Sequence, residues 1–143
     1  MAKWDKDTFI VDLRNSSSRE VAKIGERIII FSEKYADEIT WGRGNEHGTL
    51  TFRTISDFGV LPIFHLTSDG KINLQINFLR SKGLPQQVIR DLTVKLEANF
   101  LKDYDEEYYP NDIFEDMELL FHMSSQVDKF LKMIEGVVYR LKQ

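Results

Sequence analysis

Asp57, Asp69 and Lys71 are the residues whose types and spacing come nearest to a catalytic set. Metal-dependent nucleases place an Asp on one strand and an acid-x-Lys on the next. Their two carboxylates hold Mg²⁺, and the Lys orients the attacking water or offsets developing charge. Glu26, on an upstream helix, would add a third acid. The competing reading is structural. Asp57 sits in the turn-like stretch Ser56-Asp57-Phe58-Gly59, and Asp69-Gly70 is a hairpin-turn pair, since both residue types tolerate positive φ. The catalytic motif also belongs inside an apolar strand, so the turn reading is preferred and no catalytic residue or cofactor is assigned. The nuclease-like hydrolase stands as the alternative.

The stretch Trp41-Gly42-Arg43-Gly44-Asn45-Glu46-His47-Gly48 is the least ordinary in the chain. Its three glycines would let a ligand approach the backbone closely. Arg43 and His47 would meet a phosphate or carboxylate, and Trp41 would stack on a ring. The glycine spacing is neither that of a phosphate-cradling loop nor that of a dinucleotide fingerprint. The plainer account is a hairpin loop with a core Trp at its base. Trp41, Arg43, Glu46 and His47 are the candidate binding residues here, joined by Arg53 from the next strand.

Arg53, Asn73, Gln75 and Asn77, with Thr51, form the polar face of the expected sheet, which reads as a solvated surface. The three histidines, His47, His65 and His122, are scattered without metal-ligand spacing. Between Asp103 and Glu118 there are eight acids and no base. That strip lacks the spacing and the glycine of a calcium-binding loop. Its tyrosines Tyr104, Tyr108 and Tyr109 make it a candidate docking surface, because Tyr is enriched at interfaces.

The elements that would carry these residues follow from periodicity. Trp4 to Leu13 reads as a short helix capped by Asp5. A Ser17/Glu20 capping box would open the next, with Val21, Ile24, Ile28, Phe31 and Tyr35 as its apolar stripe. From Ile39 the period changes to alternation. Strands are expected at 39–41, 49–55, 60–66 and 71–79. Pro62 cannot donate a ladder bond, so it asks for an edge or a bulge. Gly83-Leu84-Pro85 would open a helix with Val88, Ile89, Leu92, Leu96 and Phe100 on its apolar side. Asp112 and Glu115 tip the stretch from Ile113 to Phe121 towards helix, and Ser125 with Asp128 would cap a last amphipathic helix reaching Leu141. The sum is a single α+β domain over 1–143: helix, a four-stranded antiparallel meander, then two to three helices on one sheet face.

Trp4 with Phe9, Trp41-Gly42-Arg43-Gly44, Gly48-Thr49 and Asp69-Gly70-Lys71 together resemble a small group of uncharacterised bacterial domains, over Trp4 to Leu79. The resemblance implies the same kind of fold and no activity.

The whole chain agrees with a globular domain: 143 residues, 42% hydrophobic and 29% charged. The absence of cysteine excludes disulfides, thiolate metal sites and a cysteine nucleophile. The net charge of −4 hides an asymmetry, since outside the acidic strip 19 bases face 15 acids. This is too mild for the basic footprint of a nucleic-acid binder. No apolar run follows the charged N-terminus and none is long enough to span a bilayer, so a cytoplasmic location without membrane contact is expected. The reading favours a non-enzymatic interaction domain. It would work through the Trp41–Gly48 loop and the acidic strip on a protein partner or a second copy, with nucleic acid as the less favoured ligand.

Overall fold

The structure, a computed structural model, describes residues 4–42, 47–57, 59–74, 79, 81–84, 86–91, 94, 115–121 and 124–142. Arg43, Glu46, Tyr104, Tyr108, Tyr109, Gln75, Asn77 and His122 lie outside them. Two helices precede the sheet. Helix α1 spans Lys6–Ser16 and α2 spans Arg19–Tyr35. As expected, Asp5 caps α1: its Oδ1 accepts the Thr8 N–H at 2.9 Å, and the Thr8 hydroxyl accepts the Asp5 N–H at 2.9 Å. The helix runs three residues beyond the predicted Leu13 end.

That extension changes which serine caps α2. Ser17 remains with α1, giving both its N–H and its hydroxyl to the Leu13 carbonyl. The cap is therefore Ser18, whose Oγ accepts the Val21 N–H at 3.2 Å. The two helices run antiparallel, with Lys6 paired to Glu33 at one end and Arg14 to Glu26 at the other. They approach closely at Gly25, where a Cβ would lie 2.5 Å from Leu13 Cδ2.

The strands are β1 (Glu38–Trp41), β2 (Thr49–Ser56), β3 (Gly59–Thr67), β4 (Lys71–Leu74) and β5 (Glu115–Asp116), antiparallel throughout in the order β1-β2-β3-β4-β5. The meander is as predicted. The Asp69-Gly70 turn is too, with Gly70 at φ +90° and its N–H on the Thr67 carbonyl. Pro62 finds the bulge it needs. Phe52 pairs with Phe64 but Arg53 with Pro62, which leaves Ile63 as the extra residue.

Two expectations fail on the β4 side. Leu79 is helical, so the strand predicted to reach it ends sooner. The stretch predicted as helix from Ile113 instead begins, in its described part, as β5 on the free edge of β4. A single turn, α3 (Met117–Leu120), follows once the Met117 N–H has reached the Gly70 carbonyl at 3.0 Å. The final helix, α4 (Ser124–Leu141), already contains Ser125, so Ser125 does not cap it. Asp128 reaches across to Arg27 of α2. Residues 86–91 are helical, and Val88 and Ile89 are buried as expected.

The register lays two apolar rows on one sheet face: Ile39, Phe52, Phe64, Leu74 and Trp41, Leu50, Leu66, Ile72. Helices α2 and α4 cover this face. A chain of rings crosses the layers, Phe31 to Phe52 to Phe64 to Phe130 to Phe121, with centroids between 5.1 and 6.0 Å apart. Burying each such ring contributes about 1.5–3 kcal/mol. The opposite face carries Thr40, Thr51, His65 and Asn73 in one row. It is less solvated than predicted, since Thr51 is 5% and Asn73 2% exposed. Among the described residues no helix is long and apolar enough to cross a membrane.

Candidate functional site

The nuclease-like set does not assemble. Asp57 lies in the turn between β2 and β3, and Asp69 in the turn between β3 and β4. The nine residues of β3 separate them, a span of about 30 Å at strand rise, so they cannot share an ion. Asp69 serves its own turn: it accepts the Thr67 hydroxyl, and its Oδ2 is 4.0 Å from Lys71 Nζ. Glu26 is engaged by Arg14. Among the described residues no group of three or more His, Asp or Glu is placed to hold a metal.

What the fold does gather is a carboxylate under the glycine-bearing connection between β1 and β2. Asp12 lies on α1, one turn before Ser16, and its Oδ1 accepts the Ser16 hydroxyl at 3.0 Å. Its Oδ2 lies 2.9 Å from His47 Nδ1, at the end of the connection, and accepts the Ser68 hydroxyl at 2.5 Å, from the β3–β4 turn. A carboxylate only accepts, so His47 Nδ1 carries the proton. Ser68 is fully buried, and its Oγ also accepts the Gly48 N–H at 2.8 Å. The Ser68 N–H returns to the Gly48 carbonyl at 3.0 Å. One carboxylate thus joins α1, the β1–β2 connection and the β3–β4 turn.

Gly48 fits because nothing larger would. A Cβ there would stand 2.8 Å from Trp4 Cδ2 and 3.1 Å from Phe9 Cδ2. Trp41 closes the same corner, its ring 5.3 Å from that of Phe9. The predicted binding residue Trp41 is therefore a half-buried wall of the core. At the other end of the connection, the Gly42 N–H meets the Thr49 carbonyl at 2.6 Å. The stem on either side of residues 43–46 is held by the backbone at 42 and 48 and by the side chain of His47.

Electrostatics favour the ionised carboxylate. Partial burial, the largest single influence on Asp12, pushes its pKa up. The hydrogen bonds from Ser68, His47 and Ser16, with the charge of His47, outweigh that and hold it below the usual carboxylate range. The types Ser, His and Asp invite comparison with an acyl-transfer triad, but the order of contacts differs. In a triad the imidazole stands between the hydroxyl and the carboxylate. Here the carboxylate stands between the other two, so His47 does not draw the proton from Ser68.

Of the other predicted residues, Arg53 lies on the far sheet face, its Nε–H on Thr40 Oγ1 at 3.3 Å. His65 Nδ1 and Thr51 Oγ1 are 2.8 Å apart in the same row. Asp116 and Glu118, the described end of the acidic strip, line a polar groove of about 350 Å³ with Asp69 and the Ser16–Ser18 corner. Sequence reasoning singled out His47 but neither Asp12 nor Ser68. The one local signal was the Asp12/Ser16 pair, four residues apart on a helix that faces the core. No family model, curated protein or solved structure matches the chain.

Proposed function

We propose that this protein is a non-enzymatic binding module that meets a protein partner through the connection 41–48, with the acidic strip 103–118 as a second contact. The observation that supports it is the three-way fixation at Asp12, which anchors the end of a glycine-bearing loop to two other elements. Binding residues are disproportionately carried on loops that a rigid scaffold positions. A stem already ordered lowers the entropic cost of engaging a partner. Ser16, Asp116 and Glu118 line one groove, which supports reading the strip as a second contact on the same side as the Asp12 anchor. A partner that suits the strip carries basic side chains, and one that suits the loop offers a carboxylate to Arg43 and His47.

Affinity capture from native lysate, with and without nuclease, tests the proposal on three forms. These are the wild type, an Arg43→Ala/Glu46→Ala variant, and a strip variant with Asp105, Glu106 and Glu107 changed to Lys. The expected result is a protein partner that survives nuclease, is weakened by both variants and is retained by Lys129→Ala on the exposed side of α4. Capture that vanishes with nuclease favours nucleic acid instead. Undiminished capture by both variants removes these surfaces from consideration.

A further inference from the structure

We infer that the joint beneath the connection is a pH-dependent clasp, in which protonation of His47 tightens its hold on Asp12 and with it the seating of Gly48 on Ser68. The chain of contacts carries this directly. His47 Nδ1 and the Ser68 hydroxyl converge on the same oxygen, Asp12 Oδ2, and Ser68 Oγ in turn holds the Gly48 N–H. Neutral imidazole already donates through Nδ1. Imidazolium adds the attraction of a full positive charge to that bond. Of the side chains in the joint, Ser16 and Ser68 do not titrate, and His is the one whose unperturbed charge change falls between about pH 5 and 8. The imidazole is 37% exposed, so protons reach it from solvent.

The charges on the elements packed against the joint are otherwise engaged. Arg14 of α1 is bound to Glu26 of α2, and Asp69 and Lys71 lie beside each other on the turn. Arg43 and Glu46 belong to the connection itself, outside the described residues. The sign follows from linkage. The charge of His47 helps to hold the Asp12 carboxyl ionised, so by reciprocity ionised Asp12 favours the imidazolium. The clasp weakens as pH rises through the His47 titration, and it is lost as pH falls through that of Asp12. It is tightest in mild acid. Its use for partner binding rests on the reading of the loop above, but its existence is measured without a partner.

The test is NMR on the full chain between pH 5 and 8, following the His47 imidazole and the amide protection factors of Gly48 and Ser68. The wild type is compared with His47→Asn, which keeps a donor near the Nδ1 position without titrating, and with Asp12→Asn. In the wild type, protection of both amides falls several-fold as pH rises; a coupling of one pH unit corresponds to about tenfold. In His47→Asn it stays flat, and in Asp12→Asn the imidazole titrates at lower pH than in the wild type. Equal protection profiles in wild type and His47→Asn overturn the clasp, and that comparison decides the matter alone if Asp12→Asn fails to fold. Clasp behaviour without capture of any partner overturns the binding proposal only.

Discussion

Asp12 and His47 are 35 residues apart in sequence, and their side chains meet at 2.9 Å. This contact, with Ser68 on the same carboxylate oxygen, ties the first helix to the sheet. Replacing Asp12 by Asn keeps the shape but puts an amide where two donors converge. The expected loss is about 1–3 kcal/mol, read from urea unfolding of wild type and variant at pH 6. A double-mutant cycle with His47→Asn is expected to give a coupling energy above the noise of independent sites, because the two groups touch.

Gly48 and Gly25 are both tightly enclosed, but by different neighbours. At Gly48 a methyl would meet the rings of Trp4 and Phe9, and at Gly25 it would meet a terminal methyl of Leu13. Rings wedged in a core yield less readily than the end of a leucine. Gly48→Ala is expected to cost about 1–3 kcal/mol. In Gly25→Ala the gain in helix propensity, about 1 kcal/mol, offsets much of the clash. Thermal unfolding of the two variants checks the order.

Asp37 gives the fold an acid-sensitive seam. Its carboxyl is held below the usual range, first by the hydrogen bond from Lys142, then by the Ile55 N–H and by Thr54. A lowered carboxyl pKa adds stability above the unfolded value and loses it as pH falls through the folded one. Stability of the wild type is therefore expected to decline on acidification below about pH 4 more steeply than that of Asp37→Asn. Urea midpoints measured from pH 3 to 7 give the comparison.

Phe64 is fully buried between Phe52 and Phe130, linking the sheet to α4. Phe64→Ala is expected to cost about 3–5 kcal/mol. Asp69→Ala, which removes only turn contacts, is expected to cost about 1 kcal/mol and to leave any Mg²⁺ response of the unfolding midpoint unchanged. A loss of Mg²⁺ stabilisation in that variant alone would revive the metal reading.

The local chemistry of the chain determined much of the fold in advance. Alternation from Ile39, the positive-φ turn at Gly70, the Asp5 cap and the stripe of α2 each depend on residues close in sequence, where periodicity and turn preferences act directly. Pro62 asked for an edge or a bulge, since its missing N–H leaves few places in a strand, and the bulge is the one it takes. Tertiary structure decided what depends on competition between distant groups. The sequence pointed to Ser17 as the cap of α2, but the Leu13 carbonyl takes Ser17, and the cap falls to Ser18. Glu115 and Asp116 form a strand because β4 offers a free edge. The site itself belongs to this second class. Asp12, His47 and Ser68 come from three elements whose ends meet only when the sheet closes on α1, and no spacing along the chain encodes that meeting. Asp57 and Asp69 are held apart by β3 alone, because a strand is stiff and its two turns lie at opposite ends.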